Sequence, residues 1–182
     1  VLNAENDLAQ AALALDEAAC RARVIGKEQA FRIGVRVLSE TVSAVDAGTA
    51  FSQLAGLLLE RLHDAVKEDA ERRNGKAPGG RSAVIAMGKL GGREMTAGSD
   101  LDLIIVHDAE AGAEMTEGPK PLSINQYYAR MTQRLISALS APTAEGVLYD
   151  VDMRLRPSGS KGPVAASLAS FESYHRDSAW TW

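Results

Sequence analysis

The chain has 182 residues, 46% of them hydrophobic and 24% charged, with a formal net charge of −4. That is enough for one good core, and a mild negative charge with no broad basic field excludes nucleic acid as a default partner. The single cysteine, Cys20, leaves no internal disulfide and fits a reducing, cytoplasmic setting. No apolar run approaches the roughly 20 residues of a membrane span, and no signal peptide opens the sequence. A start at Val1 and an aromatic ending, Trp180-Thr181-Trp182, are expected of a piece excised from a larger protein, because that ending is costly to expose.

Residues 1–75 read as a helical segment. Phe51, Leu54, Leu58, Leu62 and Val66 recur at helical spacing, with Thr49 after Gly48 as the expected N-cap. The earlier helical stretches, Leu8 to Leu15 and Phe31 to Val45, are rich in small and aliphatic residues. Glu68 to Arg73 reads as a solvated helix end, and residues 76–81 as a Gly/Pro-rich linker.

Residues 82–182 have a different texture. Ala83 to Met87 is a short buried strand, followed by the glycine turn Gly88-Lys89-Leu90-Gly91-Gly92 and a strand opening at Asp100. A polar loop from Ala111 to Pro121 leads to a helix that begins at Ser123 with a capping box to Gln126. Tyr128, Leu135 and Leu139 mark its buried stripe, and Pro142 ends it. A strand follows Gly146, then a loop from Pro157 to Pro163 and a last helix from Ser167 to Tyr174. The fold class is α+β: a small mixed sheet with helices, behind a helical segment.

The two later strands carry the chemistry. Asp100 and Asp102 stand two apart at the head of Leu101 to Val106, and Asp150, Asp152 and Arg154 share the even face of Val147 to Leu155. Side chains alternate along a strand, so each set projects from one surface. Bare anions side by side repel, and a divalent cation removes the objection; hard oxygen donors suit magnesium, as one or two ions. An isolated Asp-x-Asp is usually a cap or a solvated pair. Here a second acidic strand supplies a third ligand, with Asp152 preferred because it lies deeper and Asp150 in reserve. Arg154 and Arg156 either bind phosphate or neutralise the carboxylates, and spacing leaves both open.

Gly88, Gly91 and Gly92 after a buried strand let backbone amides approach a phosphate chain. A tight strand-to-helix turn is the equal rival, since the P-loop ending and the dinucleotide spacing are both absent. Gly98 and Ser99, next to Asp100, are placed to offer an amide and a hydroxyl to the same phosphates. His63, His107 and His175 read as structural or solvated, and Tyr127-Tyr128 as core.

Three motifs together resemble a known family. Gly88-Lys89-Leu90-Gly91-Gly92-Arg93-Glu94, Ser99-Asp100-Leu101-Asp102 and Asp152-Met153-Arg154-Leu155-Arg156-Pro157 are similar to glutamine synthetase adenylyltransferase, within the DNA polymerase β-like nucleotidyltransferase superfamily. The likeness runs from Ser82 to Trp182 and extends to Gln133-Arg134-Leu135-Ile136 and Pro142-Thr143. It implies a nucleotidyltransferase core, truncated at its C-terminus. Asp100, Asp102 and Asp152 would be catalytic metal ligands, with Gly88, Lys89, Gly91, Gly92, Gly98, Ser99 and Arg154 around ATP. The wider superfamily has Gly-Ser where this chain has Gly88-Lys89, which moves the hydroxyl contact to Ser99 or brings the Lys89 charge near the phosphates.

That family resembles two catalytic halves in one chain, one adding and one removing adenylyl groups. Arg156-Pro157-Ser158-Gly159 and Ala179-Trp180-Thr181-Trp182 resemble the adding half, whereas the removing half reads Arg-Pro-Phe-Gly. The implied reaction carries AMP from ATP to a tyrosine hydroxyl of glutamine synthetase, with PII signalling protein acting through the parent chain. Its rivals are phosphorolytic removal of the same group and a non-catalytic docking module whose acidic face holds a structural ion.

Overall fold

The computed structural model describes residues 2–179, with side-chain surroundings from Ala14 onward; the Trp180-Thr181-Trp182 ending lies outside the described residues. Two long helices come first, α1 (Leu2–Leu38) and α2 (Ala44–Asn74). They form a hairpin whose turn is closed by Ser43. Its Oγ accepts the Asp46 amide at 3.1 Å and donates to the Asp46 carboxylate at 2.7 Å. The N-cap of α2 is therefore Ser43 and not Thr49, which lies inside the helix. A Ser-x-x-Asp pair satisfies the first free amides better than a threonine one turn later, and it sets the boundary.

The sheet is built around β2 (Leu101–Asp108). Strand β1 (Arg81–Ala86) runs antiparallel along one edge, from Arg81↔Asp108 to Ala86↔Leu103. The other edge takes two short parallel strands in succession. They are β3 (Val151–Asp152), opposite Leu101 and Asp102, and β4 (Ala165–Ser167), opposite Ile105 to His107. Between β1 and β2 lies a single helical turn, α3 (Gly88–Gly92). Helix α4 (Ile124–Ser140) and helix α5 (Leu168–Asp177) complete the α+β architecture.

One continuous core joins the helices to the sheet. Leu58, Leu62 and Val66 of α2 meet Tyr127, Met131, Leu135 and Leu139 of α4 and Leu101, Leu103 and Ile105 of β2. Residues 75–80 pack into this body: Ala77 is buried, Lys76 bridges to Glu117, and a Cβ on Gly75 would stand 2.0 Å from the Glu117 carbonyl oxygen.

Several local expectations change. Glu68 to Arg73 is not a solvated end: Asp69 is 0% exposed, takes the Arg73 Nε on both oxygens at 2.8 and 3.0 Å, and also pairs with Arg134 of α4. Ser123 does cap α4, yet its side chain makes no capping bond, so no box closes with Gln126. The glycine turn is the helical turn α3. The strand expected over residues 147–155 shrinks to Val151–Asp152. Its backbone is used elsewhere: the Leu148 and Tyr149 amides bond the Leu139 carbonyl at the end of α4, and the Arg154 amide turns back to the Asp152 carboxylate.

Arg23 carries weight that its sequence context does not announce. It is buried and donates to the carbonyls of Ala19, Ala138, Ala141 and Gly146, at 2.8–3.0 Å. These include groups left without intrahelical partners at the C-terminus of α4, where a cation is favoured.

Two histidines face the interior. His63 Nε2 lies 3.1 Å from Ser82 Oγ, and His107 stacks on Tyr128 with ring centroids 4.3 Å apart. Burial lowers both imidazole pKa values below their ordinary range. In the unfolded chain they protonate near pH 6.5. Below that pH the unfolded state therefore binds more protons, so stability is full above about pH 6.5 and falls as the solution is acidified. Thermal melts at pH 7.5 and 5.5 are expected to show a lower midpoint at 5.5, and His107→Phe, which keeps the stack, is expected to flatten the difference.

Candidate active site

The sheet register builds the site. Asp102 is paired directly with Asp152, and the Leu101 amide bonds the Asp150 carbonyl at 2.9 Å. Two carboxylates thus face the same way from adjacent parallel strands, and a slip of one residue turns one of them to the other face. Asp100 stands immediately before β2. Together Asp100, Asp102 and Asp152 offer one ligand oxygen each, all within 4.8 Å of one another, with Asp100 exposed and the other two half-buried. Asp150 lies outside this group; its backbone holds the strands in register.

The cluster is walled on one side by Gly88. It has a φ of +50°, and a Cβ built there would be 2.1 Å from the Asp102 Oδ2 atom. Only glycine lets α3 start against that carboxylate. Gly91 is also sterically required, since a Cβ there would be 2.6 Å from the Ala86 carbonyl oxygen, within the β1–α3 corner. Gly92 meets only the flexible Glu94 side chain, and Gly98 faces open space. Lys89 is exposed on α3.

Ser99 is held in the turn that precedes β2. It is 7% exposed, and its Oγ accepts the Thr96 amide at 2.9 Å and lies 3.0 Å from Thr96 Oγ1. The hydroxyl closes the turn that delivers Asp100 to β2. Ser52 of α2 anchors the same loop by accepting the Met95 amide at 3.3 Å.

The two arginines divide their roles. Arg154 donates from Nε to Asp152 Oδ2 at 2.7 Å, from its backbone amide to Oδ1 at 2.8 Å, and brings its terminal nitrogen 2.5 Å from Oδ2. These bonds, the side-chain one foremost, hold the Asp152 carboxyl below the usual carboxylate range. Arg156 points away, to the carbonyls of Met153, Ser160, Gly162 and Pro163, and pins the loop around the 3₁₀ turn Gly159–Lys161. Sequence spacing left the roles of these two residues open. In the fold the Arg154 side chain rests on the Asp152 carboxylate, and the Arg156 side chain holds its own loop.

The donor set suits a hard divalent cation. Three carboxylates converge, Asp152 and Asp102 from paired positions, and neither imidazole nor thiolate belongs to the group.

The family model described as glutamate-ammonia ligase adenylyltransferase matches residues 2–182. The chain is 55% identical over 167 residues to the bifunctional glutamine synthetase adenylyltransferase/adenylyl-removing enzyme of Brucella suis, which covers 92% of the chain and 17% of that protein. The equally named protein of Mesorhizobium japonicum is 53% identical over 169 residues, 93% of the chain and 17% of the relative. The chain thus spans about one sixth of the length of the curated relatives it matches. Among the described residues no helix is long and apolar enough to cross a membrane. By its matched length and its identity to these relatives, the chain belongs to the glutamate-ammonia ligase adenylyltransferase family.

Proposed function

We propose that the chain transfers AMP from ATP to a tyrosine hydroxyl of glutamine synthetase. The convergence of Asp100, Asp102 and Asp152 within 4.8 Å is the observation that carries this reading. Those three side chains would hold magnesium. When bound, the ion neutralises charge on the phosphate tail and lowers the pKa of an oxygen placed next to it.

The chain's own groups do the rest. The amides that open α3 have no acceptor inside the helix, and Gly88 keeps them bare of side chain, so a phosphate oxygen can be seated beside Asp102. A phenolic oxygen attacks the α-phosphorus, the bond to the β-phosphate oxygen breaks, and pyrophosphate leaves. Free tyrosine ionises near pH 10, so the nucleophile needs help at neutral pH. Asp152 is the nearest candidate to orient that hydroxyl. Its carboxylate would accept a hydrogen bond from the phenol, and the proton lost as the new P–O bond forms would pass to that carboxylate and on to solvent.

Arg156-Pro157-Ser158-Gly159 supports the adding direction. Incubating the full chain with ATP labelled at the α-phosphate and unmodified glutamine synthetase is expected to label the synthetase. Release of ADP from adenylylated synthetase with inorganic phosphate, without label transfer in the first assay, would assign the removing reaction instead. ATP binding with neither reaction would leave a docking module.

A further inference from the structure

We propose that Arg154 and a divalent cation compete for the Asp152 carboxylate, and that the displaced guanidinium then takes a phosphate oxygen of the nucleotide. Arg154 thereby couples metal binding to nucleotide binding. The proposal rests on the metal-and-nucleotide reading above.

Both oxygens of Asp152 are engaged by one residue. The amide bond to Oδ1 is fixed by the backbone turn, but it uses only part of that oxygen's accepting capacity. The guanidinium bonds to Oδ2 are not fixed. The Arg154 side chain is 82% exposed, and Asp152 is its sole hydrogen-bonding partner among the described residues. Nothing else ties it down. Arg156, two residues on, differs in every respect: its guanidinium reaches four backbone carbonyls and cannot leave without opening the loop.

The electrostatics give the direction of exchange. Asp100 and Asp102 act on Arg154 as well as Asp152, so the guanidinium serves as a counter-charge for the whole cluster. A doubly charged ion that bonds three carboxylates at once outcompetes a single charge resting on one of them. Released, the guanidinium remains tethered at the rim of the cluster, where the phosphate tail would lie. Its planar fork matches two phosphate oxygens, and a lysine's point charge does not.

This predicts effects of opposite sign from one substitution. Manganese serves as the metal probe and α,β-methylene ATP as a nucleotide that cannot be cleaved at the reacting bond. In calorimetric titrations of the full chain, Arg154→Gln is expected to bind manganese alone about tenfold more tightly, because the competitor is gone. The same variant, saturated with manganese, is expected to bind the nucleotide about tenfold more weakly, because the phosphate partner is gone. Arg154→Lys, which keeps the charge, is expected to restore manganese affinity towards wild type while leaving nucleotide binding weak. Manganese affinity that is unchanged or reduced in Arg154→Gln overturns the competition, and unchanged nucleotide affinity overturns the transfer of the guanidinium. A merely structural arginine would weaken both. A wild-type chain that takes up no manganese overturns the carboxylate cage itself, and that result is separate from any effect of Arg154.

Discussion

Asp102→Asn is expected to reduce adenylyl transfer about 10³-fold while leaving the thermal midpoint within a few degrees, since loss of a metal ligand forfeits several kcal/mol of charge stabilisation and each 1.36 kcal/mol is a factor of ten. The substitution is nearly isosteric, so the β2–β3 register through Leu101↔Val151 and Asp102↔Asp152 survives. Asp102 is the sharpest choice of the three. It is half-buried between Gly88 and the paired strand, and among the described residues no arginine bonds its carboxylate. Asp152→Asn is expected to show a comparable loss, compounded by release of Arg154. Asp150→Asn provides the contrast. Its side chain lies outside the cluster and its backbone carbonyl, which the mutation does not touch, holds Leu101. Initial rates at saturating ATP, with circular dichroism to confirm the fold, check all three. An Asp102→Asn protein with near-normal rates would dismiss the cage.

Much of this arrangement was legible in the sequence because it rests on short-range rules. Period-two spacing put Asp100 and Asp102 on one face of an apolar run, and their carboxylates do come together, although Asp100 stands just before β2. Asp152 could be preferred to Asp150 only by depth; the parallel register, a long-range property, is what pairs it with Asp102. Strand length was less legible. Val147 to Leu155 alternates like a strand, but its amides are claimed by the end of α4 and by the Asp152 side chain, and only two residues join the sheet. The three-residue β4, with alanines at two positions, carries no β-forming signal at all and exists because the free edge of β2 accepts it. Ser99 shows a further limit. A serine next to an acidic motif looks like a phosphate contact, yet serine is equally suited to closing a local turn, and here its hydroxyl oxygen accepts the Thr96 amide. Arg23 had no local signal, because its four acceptors come from its own helix, the end of α4 and the Gly146 loop.

The double substitution Arg73→Met/Arg134→Met is expected to destabilise the fold by about 3–5 kcal/mol, because it strands the Asp69 carboxylate in the core without a partner. Asp69 is fully buried on α2, whereas its two arginines remain partly in water, with side chains 28% and 38% exposed. The asymmetry decides which side of the pair is costly to remove. Deleting the arginines leaves a charge that cannot reach solvent; deleting the aspartate leaves two that can. Asp69→Leu alone is therefore expected to cost less than the double arginine variant, and Asp69→Leu added to that variant is expected to recover most of the lost stability by filling the same volume with apolar atoms. Urea unfolding of the four proteins, with equal slopes to certify a common unfolded state, measures the cycle. Additive effects would remove the case for a coupled triad. The expected non-additivity makes the α2–α4 contact an electrostatic lock, and that lock joins the helical hairpin to α4, which packs against the sheet that carries the carboxylates.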